Sequence, residues 1–196
     1  LKNISAYLEG FVELQDAGSQ ALIEQLPLNG PVRVLDFCAG GGGKSLAIAA
    51  HPQTKVFAHD IDFARMKDLP NRAERAGVSI ERLSNEDLAN QPPFDLVLCD
   101  APCSGSGAWR RSPDAKWRLT TTQMEQLLQT QSDILETASG LVQQGGHLAY
   151  ATCSLFAQEN EDQVNSFLQK KPEFAKISLK SWTPLAGCDG FFISVL

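Results

Sequence analysis

Two cysteines stand in settings where a thiol could do chemistry. "DAPCSGSG" (100–107) places Cys103 three residues after Asp100, and "YATCSLFAQENE" (150–161) places Cys153 where an apolar run gives way to a polar one. The remaining cysteines are at 38, 99 and 188. The five form no CxxC pair and no spacing with histidine that suits a metal, and their odd number suits free thiols in a reducing compartment better than a disulfide framework. Any special cysteine is therefore special for its reactivity, and no metal is expected. Cys38 and Cys99 lie at or within apolar strands and read as small buried hydrophobes, and Cys188 has no partner motif. His51, His59 and His147 sit at element ends without clustered ligands and read as surface or satisfied residues.

A second stretch, "VLDFCAGGGGKSLAIAA" (34–50), runs an apolar strand into four glycines and then a helix. A phosphate-binding P-loop would need glycine where Cys38 stands. The dinucleotide fingerprint G-x-G-x-x-G fails too, ending on Ser45 when started from Gly40 and on Leu46 when started from Gly41. The loop Cys38, Ala39, Gly40, Gly41, Gly42, Gly43, Lys44 still lets backbone approach a ligand closely, and it would suit a carboxylate as well as a phosphate. About twenty residues on, "HDID" offers Asp60 as an acceptor for ribose hydroxyls. Asp87 in "SNEDL" is placed to receive an adenine amino group. Together these fit S-adenosylmethionine better than ATP. Asp62 and Asp68 read more simply as helix-capping carboxylates.

The elements that must hold these residues alternate between strand and helix. Apolar strands are expected at 32–37, 55–61, about 79–83, 94–100 and 145–154, with a helix over 121–142 whose Leu127, Ile134, Leu135, Ala138, Leu141 and Val142 share a face, stopped by Gly145-Gly146. "FAKISL" (174–179) and "FFISVL" (191–196) read as an antiparallel pair at the sheet edge. The pattern predicts an α/β fold, a doubly wound and mostly parallel Rossmann-like sheet, which binds ligands beyond the carboxyl ends of its strands. Residues 1–31 are expected as a helical lead-in packed on a catalytic domain at 32–196. If the strands 94–100 and 145–154 are neighbours, Cys103, Cys153 and Asp100 open into the crevice that holds the cofactor.

Bulk properties agree with one globular unit. The 196 residues are 43% hydrophobic and 20% charged, which is ordinary for a domain with its own core. No apolar run approaches a membrane span and no signal peptide is evident, so a cytoplasmic protein, with a monomer as the simplest assembly, is expected. A net charge of −6 supplies no global field for nucleic acid, but "WRRSPDAKWR" (109–118) and "KKPEFAKISLK" (170–180) gather positive charge locally.

"DFCAGGGGKS", "DAPCSGSG", "RRSPDAKWR", "ATCS" followed by "ENE", "DGFF" and the opening "GFVELQDAGSQ" resemble, in order and from about residue 8 to the end, the Fmu/Sun/RsmB-type family of RNA cytosine-5 methyltransferases. The resemblance implies a methyltransferase sheet, S-adenosylmethionine as cofactor, and ribosomal or transfer RNA as substrate. Carbon 5 of cytosine is a poor nucleophile, so such an enzyme first adds a thiolate to carbon 6. The resemblance makes Cys153 that nucleophile and Cys103 the thiol that aids product release. Asp100 would relieve charge at ring nitrogen 3. Lys44 is read either as lowering a thiol pKa or as meeting cofactor or substrate. Arg110, Arg111, Lys116 and Arg118 would contact phosphates, and Trp109 and Trp117 could stack on bases. Two other readings are a DNA-type cytosine methylase, which would make Cys103 the attacker, and a non-catalytic module binding S-adenosylmethionine and RNA. A nucleotide-dependent phosphotransfer enzyme is weakened by the failed GKS spacing. The family usually has Ala-Pro where this chain has Gly40-Gly41, a change expected to alter cofactor affinity rather than cofactor identity. Family members commonly carry an N-terminal RNA-binding region, so this chain is expected to be the catalytic portion of something longer.

Overall fold

The computed structural model describes residues 3–196, so the first two residues of the expected helical lead-in lie outside the described residues. Seven strands form one sheet in the order β3-β2-β1-β4-β5-β7-β6. They are β1 (Val32–Asp36), β2 (Thr54–His59), β3 (Ile80–Leu83), β4 (Phe94–Asp100), β5 (Val142–Thr152), β6 (Ser178–Trp182) and β7 (Phe191–Val195). The first five pair in parallel, while β7 runs antiparallel between β5 and β6. The helices are α1 (Ser5–Leu8), α2 (Ala17–Ile23), α3 (Gly43–Ala49), α4 (Leu69–Arg75), α5 (Asn85–Ala89), α6 (Ala115–Arg118), α7 (Thr121–Ser139) and α8 (Glu161–Lys170).

The central strands read as unbroken apolar runs because both faces are covered. In β4, Leu96 and Leu98 pack with Leu22, Ile23 and Ile48 from α2 and α3 on one face. Val97 and Cys99 pack with Leu135 and Ala138 of α7 and Val164 of α8 on the other. Each buried Leu, Ile or Val among them contributes roughly 1.5–3 kcal/mol. The edge strand β6 is exposed along most of its length and carries Lys180, a charge that discourages a further strand from pairing there.

The boundaries depart from the sequence expectation mainly around the α7–β5 junction and at the last antiparallel pair. Helix α7 begins on a capping box between Thr120 and Gln123 and ends at Ser139, not at 142. Leu141 and Val142 are apolar for another reason. The Leu141 carbonyl accepts from Phe94 N at 2.8 Å, and Val142 already pairs with Phe94 as the first residue of β5. Gly145-Gly146 lies inside β5, at the register shift opposite Phe94 and Leu96. Gly145 adopts φ +76°, and a Cβ on Gly146 would fall 2.8 Å from the Asp95 carbonyl oxygen. The last antiparallel pair is formed by 178–182 with 191–195 rather than by 174–179, since Phe174 turns inward onto Phe167 of α8. Among the described residues no helix is long and apolar enough to cross a membrane.

Candidate active site

The parallel order places the ends of β1, β2, β4 and β5 on one rim, and the loops that leave them form the site. After β1 the chain passes through the glycine loop into α3. Gly42 sits at φ +78°, a conformation that strains any residue with a Cβ, and a Cβ there would stand 2.4 Å from Leu69 Cδ1 and displace that side chain. Gly40, at φ +54°, donates its N–H to Asp60 Oδ2 at 2.8 Å. The Gly41 carbonyl accepts from Arg72, which is itself held by Glu13 at 3.3 Å. The flexible pair Gly40-Gly41 is therefore braced from both sides.

Asp36, the last residue of β1, is fully buried; its Oδ2 accepts from Ser45 Oγ at 2.6 Å, and its Oδ1 has no partner. Burial pushes its carboxyl up from 3.8 to about 6, against the pull of the Ser45 hydroxyl and of Lys44. The folded state thus holds this proton more tightly than the unfolded chain. The stability it contributes is present below about pH 4 and lost as pH rises through about 6, a change on the order of 3 kcal/mol. Asp36→Asn is expected to flatten the pH dependence of urea unfolding across that window relative to the wild-type chain.

A cavity of about 550 Å³ opens beside this loop, lined by Phe37, Cys38, His59, Asp60, Asn85 and Ile134 among others. Asp60 is nearly buried and is held by Gly40 N, by Asp62 N at 3.0 Å and by the Arg65 guanidinium at 3.0 Å. His59 stacks on Phe37 with ring centroids 4.9 Å apart. Its Nδ1 lies 2.9 Å from the Phe37 carbonyl and its Nε2 2.8 Å from Asn85 Oδ1.

The two thiols meet because β4 and β5 are neighbours: Asp100 is level with Ala151, and Ala101 N donates to the Ala151 carbonyl at 2.9 Å. Cys103 Sγ lies 3.4 Å from Cys153 Sγ. Next to them Lys44 Nζ meets Asp100 Oδ2 at 2.6 Å, with the lysine side chain 11% exposed and the aspartate 29%. The Cys103 thiol, donating to Cys153, holds the Cys153 pKa below the usual thiol value despite burial and the nearby Asp100, and Lys44 adds to the effect. Cys103 is driven the opposite way by the same bond and by burial. Burial acts to lower the Lys44 pKa, but Asp100 outweighs it and the ammonium is stabilised. The contact between the two sulfurs thus favours ionisation of Cys153 over that of Cys103.

The 16S rRNA methyltransferase RsmB/F family model matches residues 25–195. The chain belongs to that family. Ribosomal RNA small subunit methyltransferase B of Klebsiella pneumoniae subsp. pneumoniae is 37% identical over 176 residues, 87% of this chain and 41% of that protein. The chain thus spans about two fifths of the curated relatives it matches. The crystal structure of PH0851 superposes with a TM-score of 0.91 at 30% identity, covering 99% of this chain and 48% of that one. NSun6 from Pyrococcus horikoshii, solved with SFG, shares the fold at a TM-score of 0.81 and 23% identity, covering 100% of this chain and 55% of that one.

Most of the residues singled out in the sequence converge on this rim. Asp87 does not. It is exposed, outside the cavity lining, and its carboxylate closes a capping box with the N–H and hydroxyl of Ser84. Asn85, two residues earlier, lines the cavity in its place. The spacing Ser84-x-x-Asp87 is a capping signature, and it is the signal that reassigns Asp87. His59 is buried and lines the cavity, a role that its lone position in the sequence did not suggest. Cys38 also lines it, and burial drives the Cys38 and Cys99 pKa values upward, so both stay protonated. Among the described residues no group of three or more His, Cys, Asp or Glu could hold a metal ion.

In the basic segment, Arg111 donates to the buried Asp189 through Nε at 2.8 Å, and Arg110 lies 3.7 Å from the same carboxylate. Trp109 packs edge-on against Phe156, while Trp117 is 81% exposed with Lys116 Nζ 4.6 Å from its ring. Arg118 lines a second cavity of about 380 Å³ with Cys103, Ser104, Gln123 and Gln126; Thr130 borders both cavities. The loop that carries Cys103 is fixed by two glycines in contact. Gly107 N donates to the Cys153 carbonyl at 2.9 Å and its carbonyl accepts from Gly190 N at 3.0 Å, and a Cβ on Gly107 would stand 2.2 Å from the Gly190 oxygen. Gly107→Ala is expected to destabilise the fold by about 1–3 kcal/mol, read as a lowered Tm.

Proposed function

We propose that this chain is a catalytic domain that transfers a methyl group from S-adenosylmethionine to carbon 5 of a cytosine in RNA, with small-subunit ribosomal RNA as the substrate. The observation that carries the reading is the pair of thiols 3.4 Å apart, beside the Lys44–Asp100 ion pair at 2.6 Å. The larger cavity and the glycine loop fit the cofactor: an apolar slot is flanked by Asp60 and Asn85, and a buried Asp36 oxygen is left without a partner at the start of the loop. Residues 38–44, Asp60 and Asn85 would hold it. S-adenosylmethionine, when bound, supplies an electrophilic methyl group.

The rest of the chemistry belongs to the chain. The Cys153 thiolate adds to carbon 6 of cytosine, and the electron pair of the 5,6 double bond moves into the ring. An ionised Asp100 accepts hydrogen bonds but cannot donate one, so the proton that steadies ring nitrogen 3 comes through its pair with the Lys44 ammonium. Carbon 5 then takes the methyl group. Loss of the carbon 5 proton to water and return of the nitrogen 3 proton to the Lys44–Asp100 pair restore the ring. The double bond re-forms and Cys153 leaves as the thiolate that attacked, with Cys103 placed to stabilise the departing sulfur by a hydrogen bond. The "ATCS" and "ENE" segment around Cys153, together with the lowered pKa of that thiol, favours Cys153 over the DNA-type reading with Cys103 as attacker. Trp117, Lys116 and Arg118 are the exposed groups suited to an unstacked base and its phosphates.

The test is transfer of radiolabelled methyl from S-adenosylmethionine to a 16S rRNA transcript, followed by bisulfite mapping of the product. Label at one cytosine is expected. Absence of label from the RNA, together with no heat of S-adenosylmethionine binding by calorimetry, would overturn the proposal.

A further inference from the structure

Glu159 takes no part in the chemistry described above, yet it is the most heavily bonded carboxylate in the site. It is fully buried in the turn Ala157–Glu159 that follows Cys153. Its Oε1 accepts from Ser104 N at 2.7 Å and from Gln131 Nε2 at 3.0 Å. Its Oε2 accepts from the hydroxyls of Ser104 and Ser154. Ser104 follows Cys103 and Ser154 follows Cys153, so a single carboxylate grips the neighbour of each thiol.

The grip is anchored on all sides. Gln131, from α7, also donates to the Pro102 carbonyl at 3.0 Å, just before Cys103. The Tyr150 hydroxyl donates to the Glu159 carbonyl at 2.7 Å, which fixes the turn to β5. Asn160 accepts from Thr152 Oγ1 at 2.6 Å and donates to the Ser154 carbonyl at 3.0 Å, spanning Cys153. A buried carboxylate without these donors would be costly, and four donors without the carboxylate equally so. The bonds therefore hold one another in place.

We infer that Glu159 is the positioning residue that sets the Cys103–Cys153 separation, and through it the hydrogen bond the two thiols share. The inference rests on the proposed roles of the two thiols but is read without RNA. The charged and titratable groups facing Cys153 are Cys103 and Asp100 from the end of β4, Lys44 from α3 and Arg111 from the basic segment. None of them is bonded to Glu159, so they are common to wild type and variant. The charge of Glu159 itself acts to raise the Cys103 pKa, so its loss works against a rise in the Cys153 midpoint, which can come only from the lost geometry.

The test is the pH dependence of iodoacetamide alkylation, followed at each cysteine by peptide mass spectrometry on the folded chain. Glu159→Ala is expected to raise the Cys153 midpoint by about one unit, roughly a tenfold slower reaction at neutral pH, toward the value of Cys103→Ala. In the Cys103→Ala background, Glu159→Ala is expected to add no further shift. An unchanged midpoint in the single variant, or the same shift in both backgrounds, would overturn the inference. If circular dichroism shows Glu159→Ala to be unfolded, Glu159→Gln keeps the volume and an acceptor for Ser104 N and Gln131. A smaller shift in the same direction is then expected, and none would count against the inference. Alkylation behaving as expected in a chain that methylates no RNA would defeat the functional proposal and leave this one standing.

Discussion

Cys153→Ala is expected to reduce methyl transfer by on the order of 10⁴-fold or more, because it removes the proposed nucleophile for carbon 6. Cys103→Ala is expected to behave differently. It leaves the nucleophile but removes the proton that eases its departure, so a covalent protein–RNA adduct should accumulate, visible as a band shift on a denaturing gel. The two thiols lie at hydrogen-bonding distance, and only one of them has its pKa lowered by that contact. The asymmetry turns into opposite phenotypes. Equal, slow turnover in both variants with no adduct would contradict the assignment.

Asp100→Asn is expected to lower the methylation kcat by about 10²–10⁴-fold, the usual weight of a positioned proton donor or acceptor. The same change should accelerate alkylation of Cys153 at neutral pH, because the negative charge on Asp100 opposes thiolate formation while Lys44 favours it. A more reactive thiol in a less active enzyme is the signature to seek. Parallel loss of both activities would instead mean that the substitution had disturbed the packing of the site.

The fold was legible where periodicity alone decides. The runs at 32–37 and 94–100 are apolar without alternation because helices cover both faces, and their strand ends point to the site directly. The end of α7 was not legible. Leu141 and Val142 keep helical spacing by coincidence while serving β5, and glycines that look like a helix stop serve a strand irregularity. In the site, type and loop position were enough to single out Cys103, Cys153, Asp100 and Lys44. They were not enough for Asn85, because the acid Asp87 drew attention and a local capping bond claimed it. Glu159 was visible only as part of "ENE". Its partners Ser104 and Gln131 lie 55 and 28 residues away in sequence, and no local pattern encodes a bond of that span.

The place of β7 has a consequence for how the protein is made. Residues 191–195 insert beside β5, the Leu196 N–H donates to Leu148, and Gly190 locks the Cys103 loop. A growing polypeptide therefore cannot close its sheet, or bring its reactive sulfur under control, until those residues have cleared the ribosomal exit tunnel. The thiol pair is thus assembled only after the last strand has been made.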